Sequence, residues 1–192
     1  DVVGPTNLAP VLYYFNSAGT EVYSISTFPS SNNIGRMVPD GSGGVFVLSD
    51  FGYDPSFSVT GPGTVQRYSA SGLDATFNSG SGFQEVVVGG ADVNYIEMIP
   101  DDSGGMVVLW IGDTSGTFGL HAQHIESDGS IDTDFSAIGE LIYGDSAAYG
   151  SVQATIAGSH VYVGYQSTTG IVVNDFFLDL TTSWQCRQAV PS

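Results

Sequence analysis

The sequence predicts an all-β fold of antiparallel, four-stranded repeats, and three observations predict it. Nowhere do apolar residues hold a 3.6-residue period over three turns, so almost no helix is expected. Glycine supplies 26 of the 192 residues, alongside abundant Ser, Thr, Val and aromatics, which is the composition of many short strands closed by tight turns. The third observation is recurrence. Residues 94–145 read as four short strands, at Tyr95–Ile99, Met106–Ile111, Leu120–Glu126 and Glu140–Tyr143, each bounded by Gly, Asp or Ser clusters, and the flanking sequence carries imperfect copies of them.

Two landmarks set the period. A hairpin turn follows an aromatic or aliphatic position at Phe15-Asn16-Ser17-Ala18-Gly19, Tyr68-Ser69-Ala70-Ser71-Gly72 and Ile125-Glu126-Ser127-Asp128-Gly129, so that Gly19, Gly72 and Gly129 recur at nearly equal intervals. The segment from Met37 through Pro39, Asp40 and Gly44 to Val45 is answered, at a similar interval, by the one from Met98 through Pro100, Asp101 and Gly105 to Met106. A weaker copy, Ile156 to Val161, continues the period when Val161 is matched to Met106. Matched Ser-Gly-Gly turns place Gly44 and Gly105 at equivalent backbone positions of neighbouring repeats.

In chain order, residues 1–10 contain Pro5 and Pro10 with little periodicity and read as an extended arm. Residues 11–192 read as a single repeat domain with units near 11–32 (partial), 33–90, 94–145 and 150–182 (partial). Val11–Phe15 and Glu21–Ile25 make a hairpin. Ile34–Val38, Val45–Ser49, Thr64–Tyr68 and Gln84–Val88 make the first full unit, with residues 51–63 as its long loop. After the central unit come Ser151–Ile156, His160–Tyr165 and Ile171–Leu180. The total is thirteen strands.

Charge narrows the function classes. Three arginines (Arg36, Arg67, Arg187) and no lysine face 20 acidic residues, a formal charge of -17, so nucleic acid and anionic membrane surfaces would repel the chain. Solubility is the simplest use of such acidity. No apolar run approaches the roughly 20 residues a membrane-spanning helix needs, so membrane insertion is not expected. A start at Asp1 with no basic-apolar leader is what a secreted chain looks like after signal removal, and secretion or an extracellular surface is the expected location. Cys186 is the single cysteine, which excludes an intrachain disulfide framework, and no Asn-x-Ser/Thr acceptor occurs. A chain of this length buries roughly 70% of its unfolded surface on folding, enough for a sizeable core.

The hairpin landmarks also carry a resemblance. Asp128-Gly129-Ser130-Ile131-Asp132-Thr133-Asp134-Phe135, followed by Gly139, and the looser Ser71-Gly72-Leu73-Asp74-Ala75-Thr76-Phe77 resemble the D-G-S-L-D-x-x-F signature of bacterial secreted repeats of the delta-sixty type. The resemblance spans roughly residues 11–180 and implies β-propeller-like blades, in an incomplete ring or a small closed one. The first copy, Ala18-Gly19-Thr20-Glu21-Val22, departs from the signature, and the last, at Leu180–Trp184, has lost it. Asp-Gly is a hairpin pair because both residues tolerate positive φ. Phe77 and Phe135 are expected to bury their rings between adjacent sheets.

Sites are harder to read than architecture. Asp128, Asp132 and Asp134 cluster in one turn, and calcium is the ion such carboxylates would take, although the spacing is not that of an EF-hand. Zinc fits less well, because His121 and His124, three apart on a strand, point to opposite faces, and surface or half-buried histidines are expected. Catalytic signatures such as G-x-S-x-G, H-E-x-x-H and a phosphate-binding glycine loop are absent, so no enzyme activity and no resident cofactor is expected. Trp110, Trp184, Tyr53 and Tyr149 are the aromatics that would stack on sugar rings if exposed, although Trp110 lies in an apolar strand where burial is ordinary.

The expected function is therefore a non-catalytic extracellular structural or assembly module, a subunit of a surface, fibre or particle. The alternatives are a carbohydrate-binding, lectin-like module with a glycan partner and, behind it, a glycoside-acting enzyme using a pair of loop carboxylates. Thirteen strands are a little over three blades, fewer than a propeller commonly closes with, so unpaired edges are expected to drive self-association into a homo-oligomer or filament through residues 1–25 and 171–192.

Overall fold

The computed structural model describes residues 11–25, 34–49, 63–86, 95–101, 103–114, 117–133, 140–143, 152–157, 160–167 and 170–177. These residues are mostly strand, with almost no helix. Strands β1 (Leu12–Phe15) and β2 (Glu21–Ile25) form a two-stranded hairpin. Sheet I contains β3 (Ile34–Pro39), β4 (Val45–Ser49), β5 (Gly63–Ser69), β6 (Gly72–Leu73) and β7 (Gln84–Val86). Sheet II contains β8 (Tyr95–Pro100), β9 (Met106–Thr114), β10 (Thr117–Ile125) and β11 (Glu140–Tyr143), and sheet III contains β12 (Val152–Ala157), β13 (His160–Ser167) and β14 (Gly170–Phe177). Every pairing among these strands is antiparallel, between sequence neighbours or near neighbours.

The thirteen expected strands are all present, and the short β6 is added to them. Sheets I and II share an irregularity that explains β6. In sheet I the fourth position is split: β6 pairs with the C-terminal end of β5, and β7 pairs with its N-terminal end. In sheet II, Ile131 bridges Ile125 at the end of β10, and β11 then pairs with Leu120, His121 and Ala122. Between the halves of the split in sheet I lies a single helical turn, α1 (Phe77–Gly80), in which Asn78 and Ser79 take φ of +50° and +55°. This turn carries Phe77 inward.

Sheet II is buried on both faces, and β9 shows why its sequence is a continuous apolar run. Met106, Val108 and Trp110 pack with Phe46, Leu48, Val65 and Val86 of sheet I and with Phe77 of α1. Val107, Leu109 and Ile111 point the other way, packing with Val161, Val163 and Tyr165 of sheet III. Strand period two sends alternate residues to opposite faces, so a strand with two apolar neighbours needs no polar position. Along their first strands the sheets touch in order, β3 against β8 and β8 against β12. Arg36 Nη2 lies 3.6 Å from Glu97 Oε2, and Gln153 Nε2 donates to the same oxygen at 3.4 Å, so one polar residue from each first strand joins the row. Among the described residues the sheets close neither a barrel nor a ring.

Gly44 and Gly105 occupy equivalent turns, β3 to β4 and β8 to β9, as the matched spacing predicts. A Cβ on Gly44 would lie 2.5 Å from the Tyr68 carbonyl oxygen, and one on Gly105 would lie 2.4 Å from that of Ile125. Both glycines let the turn press against the end of the third strand of its own sheet. Gly129 is required for two reasons: its φ is +92°, and a Cβ there would sit 2.8 Å from the Phe77 ring.

Phe77 has no exposed surface, lies 5.9 Å from the Phe46 ring between centroids, and packs against the Gly129 turn of the next sheet. Its repeat counterpart, Phe135, and the 1–10 arm lie outside the described residues. Truncating Phe77 to Ala is expected to cost about 3–5 kcal/mol in a denaturant melt, the range for a buried phenylalanine, whereas a loss below about 1 kcal/mol would place the ring outside the core.

Candidate functional site

Sheets I and II each build the same polar device from three parts: an Asp closing the first strand, a cationic side chain on the third strand, and an Asp just after the glycine hairpin. In sheet I these are Asp40, Arg67 and Asp74. In sheet II they are Asp101, His124 and Asp132. His124 follows Arg67 at the interval that separates Gly129 from Gly72. The backbone agrees, since the Asp74 amide donates to the Arg67 carbonyl at 2.8 Å and the Asp132 amide to the His124 carbonyl at 3.1 Å.

The first Asp is locked by its own turn. Asp40 Oδ1 accepts from the amides of Ser42 (2.9 Å) and Gly44 (2.7 Å), and Asp101 Oδ1 from those of Ser103 (2.8 Å) and Gly105 (2.7 Å). A side chain that imitates a backbone turn in this way is the reason Asp leads such loops. Burial pushes each carboxyl pKa up, but the turn hydrogen bonds, and at Asp101 the His124 ring, outweigh it and hold both below the ordinary carboxylate value.

In sheet I a permanent cation completes the device. Arg67 Nε donates to Asp74 Oδ2 at 2.8 Å, its Nη2 donates to the same oxygen, and its Nη1 donates to the Ser127 carbonyl of sheet II at 2.7 Å. The guanidinium carbon also lies 5.5 Å from the Phe77 ring centroid. Asp74 Oδ1 accepts from the Thr76 hydroxyl (2.6 Å) and amide (2.9 Å). The Thr76 hydroxyl and then the Arg67 side chain draw the Asp74 carboxyl down to about 2.

In sheet II the cation is titratable. His124 is 2% exposed; its Nε2 lies 2.7 Å from Asp101 Oδ2 and its Nδ1 lies 3.0 Å from Asp132 Oδ2, with Glu126 Oε1 at 3.9 Å. Burial disfavours the imidazolium, yet the ring's hydrogen bonds to the Asp101 and Asp132 carboxylates prevail and its pKa is raised. Between the two Asp turns, residues 39–42 on one side and Pro100, Asp101, Ser103 and Gly104 on the other line an open cleft of about 430 Å³.

No family model, curated protein or solved structure matches this chain.

Of the expected site residues, the structure describes Trp110, Asp128 and Asp132. Trp110 is fully buried, stacked on His121 at 5.6 Å and 16° between ring planes, so its indole presents no face to a sugar. Trp184, Tyr53, Tyr149 and Asp134 lie outside the described residues. Asp128 Oδ1 is taken up by the Ser130 amide (2.8 Å) and hydroxyl (2.7 Å), which lower its pKa, whereas Asp132 turns away to His124. The two histidines do face opposite ways: His121 pairs across the strand with Trp110, and His124 with Val107. Both are 2% exposed, which corrects the expectation of surface or half-buried rings. They are buried because sheet II has a neighbour on each face. The one sequence signal of this arrangement is that aligning the repeats on their hairpin glycines sets Arg67 opposite His124; the partners of each side chain follow only from strand register.

The Arg67–Asp74 pair carries a pH prediction. Because the folded pKa of Asp74 lies near 2 and its unfolded value near 3.8, its contribution is full above pH 3.8 and is lost as pH falls through about 2. Asp74→Asn should therefore unfold at lower urea than the parent chain at pH 5, with the gap closing toward pH 2. A gap of constant size across that range would mean the carboxylate charge is not what stabilises the turn.

Proposed function

We propose that the chain is a non-catalytic, extracellular structural or assembly module, its sheets acting as propeller-like blades and its terminal sheets joining it to further copies. The observation that carries this reading is where the exposed apolar side chains lie. In or beside the β1–β2 hairpin, Val11 is 39% exposed, Tyr13 52%, Phe15 55% and Val22 50%, and on sheet III Ile171 and Val173 are 83% and 63% exposed. Sheet II, between its neighbours, keeps Val108, Trp110 and Ile111 at 0%. Met37 and Leu73 of sheet I and Leu141 of sheet II are exposed as well, but the hairpin and sheet III together hold most of the exposed large apolar groups, which suits terminal elements meant to be covered by another copy.

Blade phase supports the same reading. The Gly19 hairpin corresponds to the Gly72 and Gly129 hairpins, which follow the third strand of sheets I and II, so β1 and β2 have the phase of a third and fourth strand. Sheet III supplies three strands from the start of a unit. Among the described residues the end units hold fewer strands than sheets I and II, and strands shared between copies would add to them. The formal charge of -17 favours solubility of the separate copies and disfavours anionic surfaces as partners. Sugar stacking gains no support from Trp110, which is buried, and no helix among the described residues is long and apolar enough to cross a membrane.

Sedimentation at micromolar concentration tests the reading. The parent chain should run as a dimer or larger species, and the exposed changes Ile171→Asp and Val173→Asp together should shift it to a 20.0 kDa monomer with an unaltered β signal. A parent chain that is wholly monomeric at that concentration would contradict it.

A further inference from the structure

The two copies of the polar device differ in two respects that point to a ligand. In sheet I the fixed cation Arg67 bonds Asp74, and Asp40 acts on it through charge alone. Sheet II replaces that arginine with His124 and adds a third carboxylate, because Glu126 stands where the same repeat offset puts Ser69 in sheet I. Three carboxylates, of Asp101, Asp132 and Glu126, thus surround one imidazole, where in the sister sheet the guanidinium bonds only that of Asp74. The donor atoms of His124, Glu126 and Asp132 lie within 4.8 Å of one another. We propose that His124 Nδ1, Glu126 Oε1 and Asp132 Oδ2 bind one divalent first-row transition-metal ion, of which zinc is the representative.

The geometry fits in three ways. First, Asp101 Oδ2 sits 2.7 Å from His124 Nε2, and the carboxylate is itself anchored by the Ser103 and Gly105 amides, so it can accept a hydrogen bond from Nε2–H and leave the Nδ1 lone pair directed at Asp132. A carboxylate behind a histidine is the usual way a metal-binding ring is oriented and made more basic. Second, ligands about 2.1 Å from a common ion lie roughly 3.0–3.5 Å apart when adjacent. The Nδ1 to Asp132 Oδ2 distance is 3.0 Å, and the Nδ1 to Glu126 Oε1 distance is 3.9 Å. The Glu126 side chain is 46% exposed and has room to close the remaining gap. Third, exposure is graded from 2% at His124 through 20% at Asp132 to 46% at Glu126, so the site opens to solvent on one side and leaves coordination positions for water.

Donor chemistry selects the ion class. An imidazole nitrogen with two carboxylates suits zinc and its neighbours, whereas calcium prefers six to eight oxygens. This site shares Asp132 with the calcium cluster expected from sequence but otherwise uses different residues. It does not depend on how the chain assembles.

Calorimetric titration of the chelator-treated full chain with zinc chloride, and separately with calcium chloride, at neutral pH tests the proposal. The expected result is one zinc per chain at micromolar or tighter affinity, with calcium at least about tenfold weaker, and a loss of about tenfold or more in zinc affinity in Glu126→Gln and in Asp132→Asn. Asp74→Asn, at the matching place in sheet I, should leave zinc affinity unchanged. His124→Gln is the more drastic change, and because Glu126 is largely at the surface, Glu126→Gln keeps the test open if the histidine variant fails to fold. Cobalt in place of zinc should give a visible absorption band that Glu126→Gln alters. Absence of saturable zinc binding, equal affinity for calcium, or affinity unaffected by Glu126→Gln and Asp132→Asn would each overturn the assignment.

Discussion

Burial of β9 on both faces is the constraint from which most of the molecule follows. A strand whose alternate residues, Met106, Val108 and Trp110 on one side and Val107, Leu109 and Ile111 on the other, all have apolar partners requires a sheet on each side. Sheets I and III meet that requirement, and their contacts run through matched strands, β3 to β8 and β8 to β12. Removing these apolar faces from water is the main favourable contribution to the fold. It also sets the problem that the polar groups solve, because anything charged near the seams must carry its own partners.

The seam between sheets I and II shows the solution in detail. Phe77 fills it, the Asn78 amide donates to the Asp128 carbonyl at 2.7 Å, and Arg67 reaches the neighbouring Ser127 carbonyl while holding Asp74. One hairpin signature thus positions an aromatic for packing, an Asp for the cation, and a glycine that lets the next sheet approach. The same logic in sheet II puts His124 between Asp101 and Asp132. A neutral or charged imidazole in place of a guanidinium is the main chemical difference between two otherwise similar turns, and it converts a fixed ion pair into a group that responds to its surroundings.

Local patterning made the strands legible in the sequence. Alternation and apolar runs bounded by Gly, Asp and Ser mark β1 to β5 and β7 to β14 because backbone pairing depends on nearby residues. Only the ends moved: β9 runs on to Thr114 and β10 starts back at Thr117, since Gly112, Asp113 and Phe118 continue the ladder instead of forming the turn. Phe77 was legible for the same reason, as a once-per-repeat aromatic. The polar device was not, because Asp101 and His124 are far apart in the chain and meet only once the registers of β8, β9 and β10 are set. Asp128, Asp132 and Asp134 look like one cluster in sequence, yet the Gly129 hairpin sends the first to its own Ser130 and the second across to His124. Proximity along a turn says little about which way its carboxylates point.

Native-state amide hydrogen exchange measures the central constraint most directly. If sheet II is held from both sides, the amides of Val108, Leu109 and Trp110 should open only with global unfolding and be the slowest in the chain, while those of β1, β2 and β14 exchange sooner through local opening. Exchange at β9 as fast as at the terminal strands would contradict a doubly buried central sheet.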